Sequence, residues 1–196
     1  RIWMETKKLL AAPDPMPGLQ AMEQSGVFAQ LFPEAKGLDL VRRVVALEAR
    51  EKFAPDPMLR FLSLFWKEAA AVRKVASRLK LSNDERQRLS WSSQDETAIS
   101  VNMPPAGMRR ALYAIGHQVF SDRVLLQWAQ EDTVNWSSLY TAAMVWQRPA
   151  MPVAGEDLLA RNVPEGPAIG AALRKMEEAW IASDFTLDRE ALLRLL

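Results

Sequence analysis

The side chains in this sequence whose types could do chemistry are a single histidine, five adjacent acidic pairs and a dense basic run from Arg73 to Arg88. His117 is the only imidazole, so a two-His metal site cannot form within these residues, and a Ser-His-Asp triad could use no other base. It stands one turn after Tyr113 in a helical stretch, where the reading is a packed or surface ring rather than a catalyst. The acidic pairs are Asp84-Glu85, Asp95-Glu96, Glu131-Asp132, Glu156-Asp157 and Glu177-Glu178. Neighbours on a helix point about 100° apart, so such pairs do not converge on one Mg²⁺ and read as solvated or capping residues. No Asp-x-Asp, no Gly-x-x-x-x-Gly-Lys and no Gly-x-Gly-x-x-Gly occurs. The absence of cysteine excludes disulfides, thiolate zinc sites and a thiol nucleophile, and fits a reducing, cytoplasmic setting.

The basic run has a different use. Arg73, Lys74, Arg78, Lys80, Arg86 and Arg88 stand against only Asp84 and Glu85. Lys74 and Arg78 lie one helical turn apart and project from the same side. The formal charge of the whole is +1, yet residues 36–123 hold 16 basic and 10 acidic residues, net +6. Residues 1–35 carry −1 and residues 124–196 carry −4. A basic centre between acidic flanks reads either as a surface for a phosphate backbone, with affinity that falls as salt rises, or as an ordinary solvated helix exterior. Seven tryptophans are present. Trp66 and Trp180 sit on apolar stripes and read as core, whereas Trp91, in Leu89-Ser-Trp-Ser-Ser, is the one least readily buried and could stack on a base.

The elements that must position these residues are helices. Twelve prolines fall in clusters that punctuate the chain, and the stretches between them repeat at helical period with no convincing strand. The fold class expected is all-α, an irregular multi-helix array without significant sheet. Helices are expected over 2–11, 16–24, 27–31, 38–53, 82–90, 106–120, 122–130, 134–147, 155–161, 167–183 and 187–196. Residues 58–81 read as one helix or as two with a break near Trp66. Asp56 is placed to cap the next helix, with Pro57 at its first position, and Ser82-Asn-Asp-Glu85 has capping-box spacing. Ile169, Leu173, Met176 and Trp180 form an apolar stripe. No segment approaches the ~20 apolar residues of a membrane helix, and no signal peptide is visible.

Two stretches are more specific than composition, and a third lies between them. Gly155-Glu-Asp-Leu-Leu-Ala-Arg-Asn-Val-Pro-Glu-Gly-Pro-Ala-Ile-Gly170, followed by Leu173 and Trp180, resembles the C-terminal motif of bacterial tRNA nucleotidyltransferases, the CCA-adding enzymes of the poly(A) polymerase family. Arg1-Ile-Trp-Met-Glu-Thr-Lys-Lys-Leu-Leu10 is similar to that family's segment just after the catalytic head, and Leu79-Lys-Leu-Ser-Asn-Asp-Glu-Arg86 to the end of a body helix. The matches occur in family order and span nearly the whole chain. Asn162 stands where a Gly is common and Thr6 where Leu is common.

The resemblance implies a neck end over 1–35, a basic helical body over 36–148 and tail helices over 149–196. It implies tRNA as partner, held by shape and backbone, with the 3′ end positioned for a head domain. The head would carry the Asp-x-Asp metal site, Mg²⁺, CTP and ATP, none of which these residues supply. The sequence begins at Arg1 rather than Met, and the expectation is a fragment or processed product, inactive alone, of a longer enzyme. The residues expected at RNA are Arg73, Lys74, Arg78, Lys80, Arg109 and Arg110. The family motif, Gly155, Asp157, Gly166, Pro167, Ile169 and Gly170, has two readings. One is packing, with Asp157 as a cap and the glycines admitting close helices. The other is a backbone N–H site for a tRNA phosphate at the Pro167 helix start, which Glu165 would oppose. The equivalent region of a poly(A) polymerase, or a helical protein-interaction module without any nucleic-acid role, are the alternatives.

Overall fold

A proline, a capping carboxylate or a left-handed residue ends most helical runs of this chain, and the resulting pieces are short. The computed structural model describes residues 1–94, 97–131 and 135–196. Among the described residues every regular element is helical: α1 (Ile2–Leu10), α2 (Met16–Gln24), α3 (Val27–Leu31), α4 (Asp39–Glu51), α5 (Pro57–Ser63), α6 (Ala69–Arg78), α7 (Asn83–Ser92), α8 (Pro105–Glu131), α9 (Asn135–Val145), α10 (Gly155–Leu159), α11 (Pro167–Ala182) and α12 (Arg189–Leu193). The acidic pairs at 95–96 and 131–132, and the expected helix start at Val134, fall wholly or partly outside the described residues. No described helix is long and apolar enough to cross a membrane.

The expected start signals form as read. Asp56 Oδ1 accepts from the amides of Met58 (2.9 Å) and Leu59 (3.1 Å), with Pro57 at the first helical position. Ser82 Oγ accepts from the Glu85 amide, and the Glu85 carboxylate accepts from the Ser82 amide, closing the capping box. Of the two readings of residues 58–81 the structure has the second, two helices parted at Trp66 by the buried turn Leu64-Phe-Trp-Lys-Glu68. The turn sinks Leu64, Phe65 and Trp66 into the core, where a continuous helix would carry some of them to solvent. Over 105–131 the break falls at Gly116, with φ 77° and ψ 164°, instead of near Ser121. That backbone lies outside the range of a side-chain-bearing residue, so glycine sets the kink.

The main core is built by α1–α9 around Phe32, Phe61 and Phe65, which pack edge-on in a chain with Phe28, while Trp3 closes it from α1. A second, smaller core gathers Val153, Leu158, Met176, Trp180, Leu192 and Leu193 around Tyr113 of α8. Trp66 and Trp180 are buried. Phe185 bridges Tyr113, Trp146 and Trp180 through ring contacts, so the C-terminal helices dock on the N-terminal half of α8.

A buried polar network ties the helices together. Arg60, 1% exposed, donates to Glu48 Oε2 (2.7 Å) and to the carbonyls of Leu10 (2.7 Å) and Ala12 (2.6 Å). It thereby caps the C-terminal end of α1 from the middle of the core. Burial pushes the Glu48 carboxyl above its ordinary range, against the opposing hydrogen bonds from the Asp56 amide and Arg60. Nothing in a sequence distinguishes such an arginine from a surface one, because its partners lie 12 to 50 residues away.

Candidate nucleic-acid interface

Helix α6 buries Val72, Val75 and Ala76 and turns Arg73, Lys74, Ser77 and Arg78 to solvent, as their spacing of one and four residues requires. Lys80 follows in the left-handed turn (φ 54°) that closes the helix, where the Leu81 amide donates back to the Ala76 carbonyl. Arg73, Lys74 and Lys80 are exposed and make no ion pair among the described residues. Arg78 is different. Its guanidinium grips Glu34 bidentately at 2.6 and 2.8 Å and donates to the Leu31 carbonyl. That pairing holds the Glu34 carboxyl below its ordinary range, and Lys74 adds to it. Arg78 and Lys74 share a side of α6, but the charge of Arg78 is neutralised within the protein.

Arg88, the last of the dense run, is internal. It donates to Asp122 at 2.9 and 2.7 Å and to Asp56 at 2.5 Å, while Ser92 and Gln118 also donate to Asp122. Burial disfavours the Arg88 cation, but these two carboxylates more than offset it and leave its pKa above the usual arginine value. Glu85, the capping carboxylate of α7, also accepts from Trp3 Nε1 (3.0 Å) and Lys7 Nζ (2.9 Å) of α1. Burial alone would raise the Glu85 carboxyl, yet the hydrogen bonds from Lys7, Ser82 and Trp3 hold it below its ordinary range. The segment 79–86 is therefore a clamp onto α1 as well as a basic surface.

Arg109 and Arg110 belong to a second place, at the start of α8. Arg109 pairs bidentately with Asp184, which follows α11, and so fastens the C-terminal helices to α8. Arg110 is exposed and lacks an ion-pair partner. The six arginines and lysines expected at RNA thus divide. Arg73, Lys74, Lys80 and Arg110 present unpaired charge, whereas Arg78 and Arg109 are engaged in ion pairs. Among the described residues no hydrogen bond or ion pair joins the α6 group to the α8 group.

In the Gly155–Gly170 stretch the geometry is that of packing. Asp157 Oδ2 accepts from the Ala154 amide (2.8 Å), tying back the start of α10, and its Oδ1 pairs with Arg189 of α12 (2.5 Å). Gly166, at φ 103° and ψ −142°, occupies backbone space that only glycine uses freely, immediately before Pro167 opens α11. A Cβ at Gly155 would meet Ile169 at 3.6 Å, and one at Gly170 would meet Arg174 at 3.5 Å, both ordinary contacts. Close helix approach is therefore not what these two glycines provide, contrary to expectation; Ile169 packs against the second core.

Asp157 and Asp184 are both held below the ordinary carboxylate range, chiefly by hydrogen bonds from Arg189 and Arg109 respectively. A depressed carboxylate contributes stability above its unfolded pKa, about 3.9, and loses it as pH falls through the folded value. Hydrogen exchange should therefore show α11 and α12 losing protection below about pH 4, before α4 and α5 do. The double variant Asp157→Asn, Asp184→Asn should show the loosened tail already at neutral pH. Equal acid responses of tail and core helices would refute this.

His117 rests against Trp146 at 6.0 Å and lines a cavity of about 460 Å³ with Lys52, Asp56, Asp122 and Tyr140. Of the three acids that line it, Asp56 and Asp122 are held by Arg88 and Glu48 by Arg60. Among the described residues no three histidine, aspartate or glutamate side chains converge so as to hold a metal ion. The carboxylates at this cavity are committed to a helix cap and to ion pairs with Arg60 and Arg88, and these residues do not fit a Mg²⁺ site.

Residues 1–38 match the family model described as the probable RNA- and SrmB-binding site of polymerase A. Over 200 aligned positions the chain is 26% identical to the mitochondrial CCA tRNA nucleotidyltransferase 1 of Mus musculus, which covers 98% of this chain and 44% of that protein. Over 89 residues it is 36% identical to an uncharacterized 28 kDa protein in the petA 5′ region of Rhodospirillum rubrum, covering 39% of this chain and 34% of that protein. The chain spans less than half the length of either relative.

Proposed function

We propose that this chain, which belongs to the helical region of the poly(A) polymerase family, binds RNA as the helical portion of a CCA-adding tRNA nucleotidyltransferase. In this reading it grips tRNA by its backbone and positions the 3′ end for a catalytic unit formed by other residues. CTP, ATP and Mg²⁺ belong to that unit. The observation that carries the reading is the end-to-end alignment with the mouse enzyme, which covers nearly all of this chain. The exposed cations of α6 support it, because backbone recognition of a structured RNA needs phosphate contacts and no base readout.

The test is protection of a tRNA transcript from nuclease or hydroxyl radical by this chain at low and high salt. Protection should appear on the acceptor stem and elbow and fade as salt rises. Equal binding of an unstructured RNA of the same length, or binding indifferent to salt, would overturn it.

A protein-interaction reading is favoured by one feature. An apolar hollow of about 320 Å³ lies between Ile2, Thr6, Leu9, Met22 and Leu31, inside the segment whose family description names SrmB binding beside RNA binding. It leaves the α6 cations unused.

A further inference from the structure

The exposed face of α8 before the Gly116 kink carries two adjoining hollows that the α6 surface does not explain. The first, about 320 Å³, is bordered by Trp91, Gln94, Ile115 and the buried Arg123. The second, about 810 Å³, is bordered by Arg110, Arg148, Tyr113, Met103 and Pro104. Thr97 and Ala114 line both, so the two hollows adjoin as a groove with a shared wall. It runs from an indole at one end to two guanidinium groups at the other.

Trp91 is 49% exposed and has no ring partner among the described residues, although its backbone carbonyl is fixed by Arg123 Nη2 at 2.8 Å. An indole left half in water on an anchored helix end is a flat apolar face without an occupant. Arg110 stands one turn before Ala114 on α8 and has no ion-pair partner. Arg148 is exposed, with its guanidinium 4.0 Å from the Tyr113 ring centre and no carboxylate partner among the described residues. Among the described residues Glu177 also borders the second hollow and accepts from Tyr113 Oη (2.6 Å), while Asp184 is paired with Arg109, so the two guanidinium groups outnumber the one carboxylate in the lining. The groove thus offers a stacking plane, an apolar floor and two free positive charges, the combination that holds unpaired nucleotides by base stacking and backbone charge.

We infer that this groove binds a single-stranded segment of RNA, with one base stacked on Trp91 and the flanking phosphates on Arg110 and Arg148. The inference rests on the RNA-binding reading but uses a different surface from the α6 cations. An apolar peptide would not need the two unpaired arginines.

The experiment compares two probes on this chain: a blunt RNA hairpin and the same hairpin with a short 3′ single-stranded extension. The extension should tighten binding by about tenfold, the amount of one stacked base. Trp91→Ala should abolish that increment while leaving hairpin affinity unchanged, and Trp91→Phe should retain most of it. Arg110→Gln with Arg148→Gln should reduce the salt dependence for the extended probe only. Trp91 is exposed, and matching thermal melts verify that its variants fold. Hairpin binding with no increment from the extension, or an increment that survives Trp91→Ala, overturns the groove and leaves the general RNA reading standing. A Trp91-dependent response to the extension with no hairpin binding upholds the groove and overturns the α6 reading. Failure of both probes overturns both.

Discussion

Arg60→Met lowers stability by about 3–5 kcal/mol, the effect expected on removing one partner of a buried ion pair. The loss has two sources. Glu48 is left as a buried carboxylate whose remaining described donor is the Asp56 amide, and the carbonyls of Leu10 and Ala12 lose their donor at the end of α1. For a chain of this size the melting temperature falls by roughly 6–20 °C. The double variant Glu48→Gln, Arg60→Met recovers only part of this, because the amide removes the buried charge and the carbonyls remain unmet. Urea denaturation monitored by far-UV circular dichroism measures both variants. A loss below about 1 kcal/mol for the single variant would mean that Arg60 is solvated in solution and that α1 is not capped from the core.

Neutralising Arg73, Lys74 and Lys80 together to Gln flattens the dependence of log affinity on log salt for tRNA by about two to three units, near one per phosphate contact. At 0.1 M salt that amounts to roughly a hundredfold to thousandfold weaker binding. Melting temperature should be nearly unchanged, since none of the three has an ion-pair partner and surface substitutions alter stability little. Arg78→Gln serves as the control. Its charge is already matched by Glu34, so it changes the slope by much less than one of the three free cations. A triple variant that keeps the native slope would remove α6 from the interface and return its charges to the role of a solvated face.

The division between Arg78 and its neighbours shows where sequence reasoning reached its limit. The spacing of Lys74 and Arg78 correctly placed them on one side of α6, because helical geometry is local. It could not show that Glu34, 44 residues earlier, stands opposite Arg78. Arg109 was likewise legible as a basic residue near a helix start, while its Asp184 partner comes from the far end of the chain. Arg148 was missed altogether. Its place over Tyr113, in a groove shared with α11, exists only once the C-terminal helices have docked. Trp91 was visible as the tryptophan least suited to burial, since its neighbours are small and polar, but its continuity with Arg110 was not.

What the sequence by itself determined is what local physics determines. The all-helical class, the Asp56 and Ser82 caps, the stripe carrying Trp180 and the absence of thiol or two-histidine chemistry follow from residue types at short spacing. The ordered motifs also pointed to the family, and the comparisons bear that out. Tertiary structure decided which charges remain available. An ion pair forms or fails according to which helices the two cores bring within about 4 Å, and that depends on kinks such as Gly116 and on buried turns such as 64–68. The +1 charge of the chain, a property of composition, says nothing of this. Arg73, Lys74, Lys80, Arg110 and Arg148 are among the charges left over after folding has matched Arg60, Arg78, Arg88 and Arg109, because a carboxylate that has entered an arginine's reach no longer leaves it for a phosphate.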